Sequence, residues 1–436
     1  MKKSLVIGVA AVLTAGSFTP TVFADASVQD ANQTQQTKTA NNASNNDTSG
    51  NQSEQENSSE SDASSESAVN EEGLIDILTL EQAIQTGLEG NYSLMELNYA
   101  LQNAEIQLES SVNSYEDTVQ DIEDLSDQLE DLENFTERRL TDEQRDALAE
   151  TLETMDDTIK QLASTNKVLQ YNQEEAEKTI VMTIISNYVG LVMQENQLDM
   201  MNESLENQLI NLQNLATQYE LGAISANEYQ NAAQDVETQR ATIATAEEQL
   251  ENDTEVFAMN IGIAYHSDLS LAPPEVDMSN VNQEISTEEL VANSYAMKTA
   301  EENLSNARTQ FEETLKNDDT DSYAEEQAMV DVRTEELNVE RQQRDLSIAV
   351  EDLYNQLDLQ YQAVNDANRE LQYAQDDFET QRTLYEAGVI SEQDYQQSEI
   401  MVDQAENTVE TEKYSYYLLT KQEELMREGV IQTTTL

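Results

Sequence analysis

The chain has 436 residues, 38% of them hydrophobic, with 11 Gly, 3 Pro and no Cys, which permits a large fold and argues against a glycine-rich β architecture. Its 88 Asp and Glu against 21 Lys and Arg give a formal charge of −67, which repels phosphate backbones and anionic lipid surfaces and excludes nucleic acid as a partner. Salt relieves such self-repulsion by shortening the Debye length to about 3 Å at 1 M, so a salt-adapted source is the matching expectation.

Lys2 and Lys3 precede an apolar run from Leu5 to Leu13, and Val22-Phe23-Ala24 places small residues at the −3 and −1 positions of a cleavage site. Residues 1–24 therefore read as a secretory signal, with a mature chain starting near Asp25. Without Cys there is no lipobox, and no later stretch approaches the roughly 20 apolar residues of a membrane helix. An exported product with no bilayer-spanning segment is expected. Residues 25–72 are dominated by Ser, Asn, Gln, Thr, Asp and Glu, too polar to offset the entropy of ordering, and read as a disordered acidic leader.

Structure is expected from Leu78-Thr79-Leu-Glu-Gln82, where Thr79 and Gln82 form a capping-box pattern ahead of apolar Ile84, Leu88, Leu94, Leu97, Leu101 and Leu108. Gly87 and Gly90 predict a break between a short first helix and a long one starting near Tyr92. From about 112 to 170 the apolar positions Val119, Ile122, Leu125, Leu129 and Leu132, then Leu148, Leu152, Met155, Ile159 and Leu162, predict an extra acidic helical hairpin turning between Asn134 and Thr141.

Tyr188, Leu191, Glu195, Leu198, Asn202, Leu205, Leu209, Leu212, Ala216 and Tyr219 keep three-to-four spacing, the seam of a coiled coil about 85 Å long between Ser164 and Leu221. The seam ends in Tyr219-Glu-Leu-Gly222-Ala-Ile-Ser225-Ala-Asn-Glu228-Tyr229. Gly222 reaches the left-handed conformation that stops a helix, and Ser225 with Glu228 forms a capping box that starts the next. Ile224 and Tyr229 are placed to form a hydrophobic staple. The chain then returns through Ala232, Val236, Ile243 and Leu250 to Pro273-Pro274, the boundary between two repeats at 73–275 and 276–436.

The second repeat opens with Ile285-Ser286-Thr-Glu-Glu289-Leu290. It has only a polar loop, Asn317 to Tyr323, where the first has its extra hairpin; Asp318, Asp319 and Asp321 there fail the EF-hand register, which needs Gly sixth and Glu twelfth. Tyr354, Leu357, Tyr361, Val364, Asn368, Leu371, Gln375, Phe378, Arg382 and Tyr385 repeat the first seam at an offset of 166. Asn202 and Asn368 either fix the register of the coil or lie partly exposed. The second tip is Tyr385-Glu-Ala-Gly388-Val-Ile-Ser391-Glu-Gln-Asp394-Tyr395, with Ile390 and Tyr395 as its staple pair, and the chain returns through Val402, Val409 and Tyr416.

Two repeats, each opening with a capped helix start and ending in a tip of the form Y-E-x-G-x-I-S-x-x-[DE], resemble the TolC-like outer-membrane efflux protein family over about residues 78–430. The resemblance implies an all-α protomer of long antiparallel hairpins, a homotrimer enclosing a helical barrel, and tips that meet a membrane-fusion-type adaptor linked to an ABC-type pump. It carries the docking role to Gly222, Ala223, Ile224, Ser225 and Glu228, and to Gly388, Val389, Ile390, Ser391 and Asp394. Family members place two membrane strands per repeat between the long helices, whereas this chain has a helical hairpin at one such site and a short loop at the other. Tyr229 and Tyr395 also stand where the family has a smaller aliphatic residue. The implied protein is an exported stalk without a membrane β-barrel, located outside the cell or in the envelope of a Gram-positive bacterium.

His266 is the single histidine, and without Cys neither zinc nor nucleophile constellations assemble; there is no phosphate-binding Gly loop either. No enzymatic activity, metal or cofactor is expected. Two functions remain: a transport-associated conduit docked at its tips, or a structural or adhesive surface coiled coil with no transport role.

Overall fold

A computed structural model describes residues 75–131, 135–281, 283–316 and 322–433. All lie in one compact unit, Ser67–Leu436. The signal and the acidic leader read from the sequence, and Asp318, Asp319 and Asp321, lie outside the described residues.

The elements in chain order are β1 (Ile77–Leu78), α1 (Leu80–Glu89), α2 (Tyr92–Asp131), α3 (Phe135–Glu220), α4 (Ala226–Asn260), β2 (Ser270–Leu271), α5 (Thr287–Asn293), α6 (Tyr295–Lys316), α7 (Ser322–Glu386) and α8 (Glu392–Arg427). The fold is all-α and built as tandem helical hairpins: α1 to α4 and α5 to α8 repeat the same series of short, long, longest and returning helix. No helix among the described residues is long and apolar enough to cross a membrane.

Local chemistry sets these boundaries. Thr79 caps α1 with the reciprocal Gln82 bonds of a capping box. Gly87 faces the core, where a Cβ would lie 2.5 Å from Ile184 Cδ1, so glycine here permits close approach of α1 to α3. Asn91 Oδ1 accepts from the Leu94 N–H at 3.0 Å and starts α2. In the second repeat buried Ser294 marks the same break, its Oγ donating to Val291 O at 2.7 Å and accepting from the Met297 N–H at 3.2 Å.

The 86 residues of α3 give a helix about 130 Å long at 1.5 Å per residue, and it is the axis of the layer. Across one end the packing order is α2, α3, α6, α7; toward the tips it is α4, α3, α8, α7. One edge is therefore α7 throughout, and the other is α2 and then α4.

The main core gathers where the repeats join, around Ile184, Tyr188, Val189, Val192, Phe257 and Leu271. A second cluster, with Leu290, Val291, Leu346, Val350 and Met426, serves the second repeat. Tyr188 is fully buried; its ring meets Phe257 edge-on at 6.2 Å, and its hydroxyl lies 2.7 Å from Leu78 O and 2.6 Å from Ala272 O. It thereby pins the strands β1 and β2, which pair in parallel through Ser270 N–H to Asp76 O and Ala272 N–H to Leu78 O. His266 joins the same knot, its Nε2 2.8 Å from Ile75 O.

One expectation is revised and one open alternative is decided. The hairpin expected at about 112–170 coincides with the far ends of α2 and α3, and helix resumes at Phe135, inside the span expected to turn. Thr141, part of that span, donates instead to Glu137 O within its own helix, as threonine does in a helix interior. Asn202 and Asn368 are exposed, and Asn368 Nδ2 donates to Val364 O, so neither sets a coiled-coil register.

Candidate docking tips and helix edges

Each tip is a Schellman stop followed by a capping box. At the first, Gly222 adopts φ 70°, its N–H donates to Tyr219 O at 2.9 Å and the Ala223 N–H donates to Gln218 O at 2.8 Å. Ser225 then caps α4: its N–H donates to Glu228 Oε2 at 3.0 Å, and the Glu228 N–H donates to Ser225 Oγ at 3.2 Å. At the second, Gly388 adopts φ 68°, with bonds from its N–H to Tyr385 O and from the Val389 N–H to Leu384 O. Ser391 and Asp394 complete the same reciprocal box at 3.2 Å each way. The shorter Asp makes both bonds that Glu228 makes.

These bonds polarise the tip. The backbone N–H and hydroxyl of Ser225 hold the exposed Glu228 carboxyl below its ordinary range. Gly222, Ala223, Ser225, Glu228, Gly388, Val389, Ser391 and Asp394 are exposed, while Ile224 and Ile390 are half-buried. Leu221 and Val389, 79% and 67% exposed, put apolar groups on the surface of the tips. Sequence reasoning assigned Val389 and passed over Leu221.

Aromatic stacking joins the two arms of each hairpin. Tyr229 stacks on Tyr219 of the incoming helix at 5.6 Å and 7°, and Tyr395 stacks on Tyr385 at 5.0 Å and 9° with Phe378 behind it at 5.3 Å. Offset stacking of this kind contributes about 0.5–1.5 kcal/mol beyond area burial, and here it ties the two arms of each hairpin directly.

A second feature runs along the edges. On α2 the residues Leu94, Leu97, Leu101 and Leu108 turn toward α3, while Tyr92, Met95, Tyr99 and Ile106 are exposed. At about 100° per residue the two sets occupy opposite faces. On α7 the buried Leu346, Val350, Leu357 and Val364 face the layer, and the exposed Val330, Leu337, Ile348, Leu359 and Tyr373 form a straight stripe on the far side. Both edge helices therefore carry exposed apolar side chains opposite their packed face, and on α7 these alternate with polar ones such as Arg344, Asn355 and Asp366. The spacing was visible in the sequence, but one periodic set on each helix was enough to explain the core.

Between α3 and α8 the carboxyls of Glu203 and Asp403 are both raised, first by burial and then by neighbouring acids: Asp403, Asp199, Glu206 and Glu406 act on Glu203, and Glu406 acts on Asp403. Among the described residues no group of three or more His, Asp or Glu is arranged to hold a metal ion.

No protein-family model matches the chain, and no curated protein matches it. Solved structures do. The Campylobacter jejuni CmeC outer membrane channel aligns with TM-score 0.54 at 12% identity, over 82% of this chain and 87% of that one. The outer-membrane channel OprN gives 0.55 at 10%, over 80% and 90%. The open state of the Neisseria gonorrhoeae MtrE outer membrane channel gives 0.54 at 12%, over 82% and 91%. At these identities the likeness is one of fold: tandem helical hairpins like those of a TolC-type α-barrel protomer, without a closed β-barrel. The comparison also corrects the expectation of a Gram-positive type and a Gram-positive envelope, because the matching structures are Gram-negative outer-membrane channels.

Proposed function

We propose that the chain is one stave of a transport-associated helical conduit, closed by copies of itself and docked through its tips. The observation that carries this is the pair of outward apolar stripes on α2 and α7, which lie on opposite edges of a single helical layer. A monomeric spacer has no use for apolar faces on both edges, whereas a ring buries the α7 edge of one copy against the α2 and α4 edge of the next. Such a heterologous contact generates a closed ring when its rotation closes. Three copies, as in the family it resembles, is the assembly proposed. Residues 73–275 and 276–436 are the two repeats of each stave, and residues 1–24 and 25–72 a removable signal and acidic spacer.

In this reading Gly222, Ala223, Ile224, Ser225 and Glu228, with Gly388, Val389, Ile390, Ser391 and Asp394, meet a membrane-fusion-type adaptor served by an ABC-type pump. What supports it is the exposure of most of these residues on turns fixed by backbone bonds and stacked rings.

The test is assembly of the purified mature chain at about 1 M salt, where a Debye length of about 3 Å screens the mutual repulsion of acidic copies. End-on rings by negative-stain microscopy and a trimer mass by sedimentation are expected. The triple variant Leu337→Glu, Ile348→Glu, Leu359→Glu should sediment as a monomer with unchanged helicity, since all three side chains are exposed. A wild-type monomer without a hollow centre favours the structural or adhesive coiled coil instead.

A second prediction concerns the tips. No atom lies within 4 Å of a Cβ built on Gly222 or Gly388, so valine there acts through φ alone. The left-handed conformation costs an L-residue about 1–2 kcal/mol, and more when it is β-branched. Gly222→Val with Gly388→Val should therefore displace the tips and reduce adaptor capture in pull-downs at least about tenfold, while circular dichroism stays helical. Undiminished capture removes the docking role.

A further inference from the structure

A cleft of about 320 Å³ opens between α3, α4 and the segment that leads into β2. Its floor is apolar: Leu191 and Leu271 are buried, and Leu250 is half-buried between them. Its rim carries three carboxylates, Glu195 on α3 and Glu247 and Glu251 on α4. Tyr265 stands beside them, with its hydroxyl directed to Glu251.

The cleft has no cation of its own. Between Lys178 and Lys298 the sequence contains one Arg, Arg240, and no Lys, and Arg240 is paired with Glu237 at 3.1 Å. Glu195 sits at a seam position where helix packing offers it no basic partner. Burial, and then the charge of Asp199, raise its carboxyl above the ordinary range.

We infer that this cleft binds an amphipathic organic cation, an ammonium group carried on an apolar body. The apolar body lies on the leucine floor, and the ammonium sits among Glu195, Glu247 and Glu251, against the face of Tyr265. Clefts for small molecules begin at about 300 Å³ and combine apolar walls with a few convergent polar groups, and a Tyr face adds cation–π attraction. A neutral body gains nothing from the rim, and an anion is repelled by it. This inference does not depend on the conduit reading, since every residue it uses belongs to one copy of the chain.

The experiment is calorimetric titration of the full mature chain with octyltrimethylammonium, with 1-octanol and octanesulfonate as neutral and anionic controls. At about 0.15 M salt, one cation per chain is expected to bind saturably, and both controls at least about tenfold more weakly. The variant Glu195→Gln, Glu247→Gln, Glu251→Gln should weaken the cation at least about tenfold, with its helicity unchanged. The variant Glu116→Gln, Asp121→Asn, Glu123→Gln, which removes exposed acids from α2, should leave binding unchanged. Equal binding of octanol, an unaffected cleft variant, or equal losses in the two variants would overturn the site, the last by showing diffuse attraction to an acidic chain.

Discussion

Tyr188→Ala is expected to destabilise the folded chain by about 3–5 kcal/mol, the range for truncating a buried aromatic side chain. Tyr188→Phe keeps the ring against Phe257 but removes the hydroxyl that lies within hydrogen-bonding distance of Leu78 O and Ala272 O. Leu78 O retains its bond from the Ala272 N–H, so the hydroxyl's loss falls mainly on the half-buried Ala272 O, at the lower end of the range for an unpaired polar group, about 1 kcal/mol. The two variants thus separate packing from pinning. Denaturant unfolding followed by circular dichroism gives the totals, and amide exchange locates the second effect. Faster exchange at Ser270 and Ala272 in Tyr188→Phe, with the tips unchanged, is the expected pattern. Protection equal to wild type would mean that β1 and β2 hold together without the tyrosine.

Tyr188 also shows which parts of the fold were readable before coordinates. Its spacing placed it in the α3 seam correctly, because a 3-4 pattern reports burial. Nothing in that pattern reports a hydroxyl aimed at two strand carbonyls, since strands of two residues leave no alternation to detect. The tips were legible in detail because their determinants are local: a glycine at positive φ, and a serine bonding three residues onward. The stacked partners Tyr219 and Tyr385 lie ten residues before Tyr229 and Tyr395, across the turn, so pairing them requires the hairpin geometry. The outward stripes were hidden for a different reason. On α2 and α7 one apolar set satisfies the core, and only exposure shows that the opposite set has no partner within the copy. At the tips the sequence supplied the conformation; the exposure of Leu221 became visible with the structure.

The charge of the chain makes its few enclosed ion pairs informative. Several pairs on these helices join residues three or four apart with both partners exposed, such as Arg382 with Glu379 and Glu386, and solvent screening leaves them little weight. Glu423 differs. It is 3% exposed on α8, accepts from the Tyr354 hydroxyl at 2.9 Å and from Arg427 Nε at 2.5 Å, and so joins α7 to the last turn of α8. Burial, and then this carboxylate, push the Tyr354 hydroxyl up to about 12, which keeps it a donor at any physiological pH.

Arg427→Met keeps an apolar stem in place and leaves Glu423 with the tyrosine alone. Breaking a buried pair from one side costs about 3–5 kcal/mol, and the 34% exposure of the Arg427 side chain lowers the expectation to about 2–3 kcal/mol. The double variant Glu423→Gln, Arg427→Met removes the stranded charge while preserving an acceptor for Tyr354, and is expected to recover at least half of the loss. That recovery separates a charge effect from a packing effect, because a packing defect left by the shortened side chain at position 427 persists in both variants. Equal instability of the single and double variants by denaturant unfolding would show that Arg427 acts through its contacts at the C-terminal turn and not through Glu423.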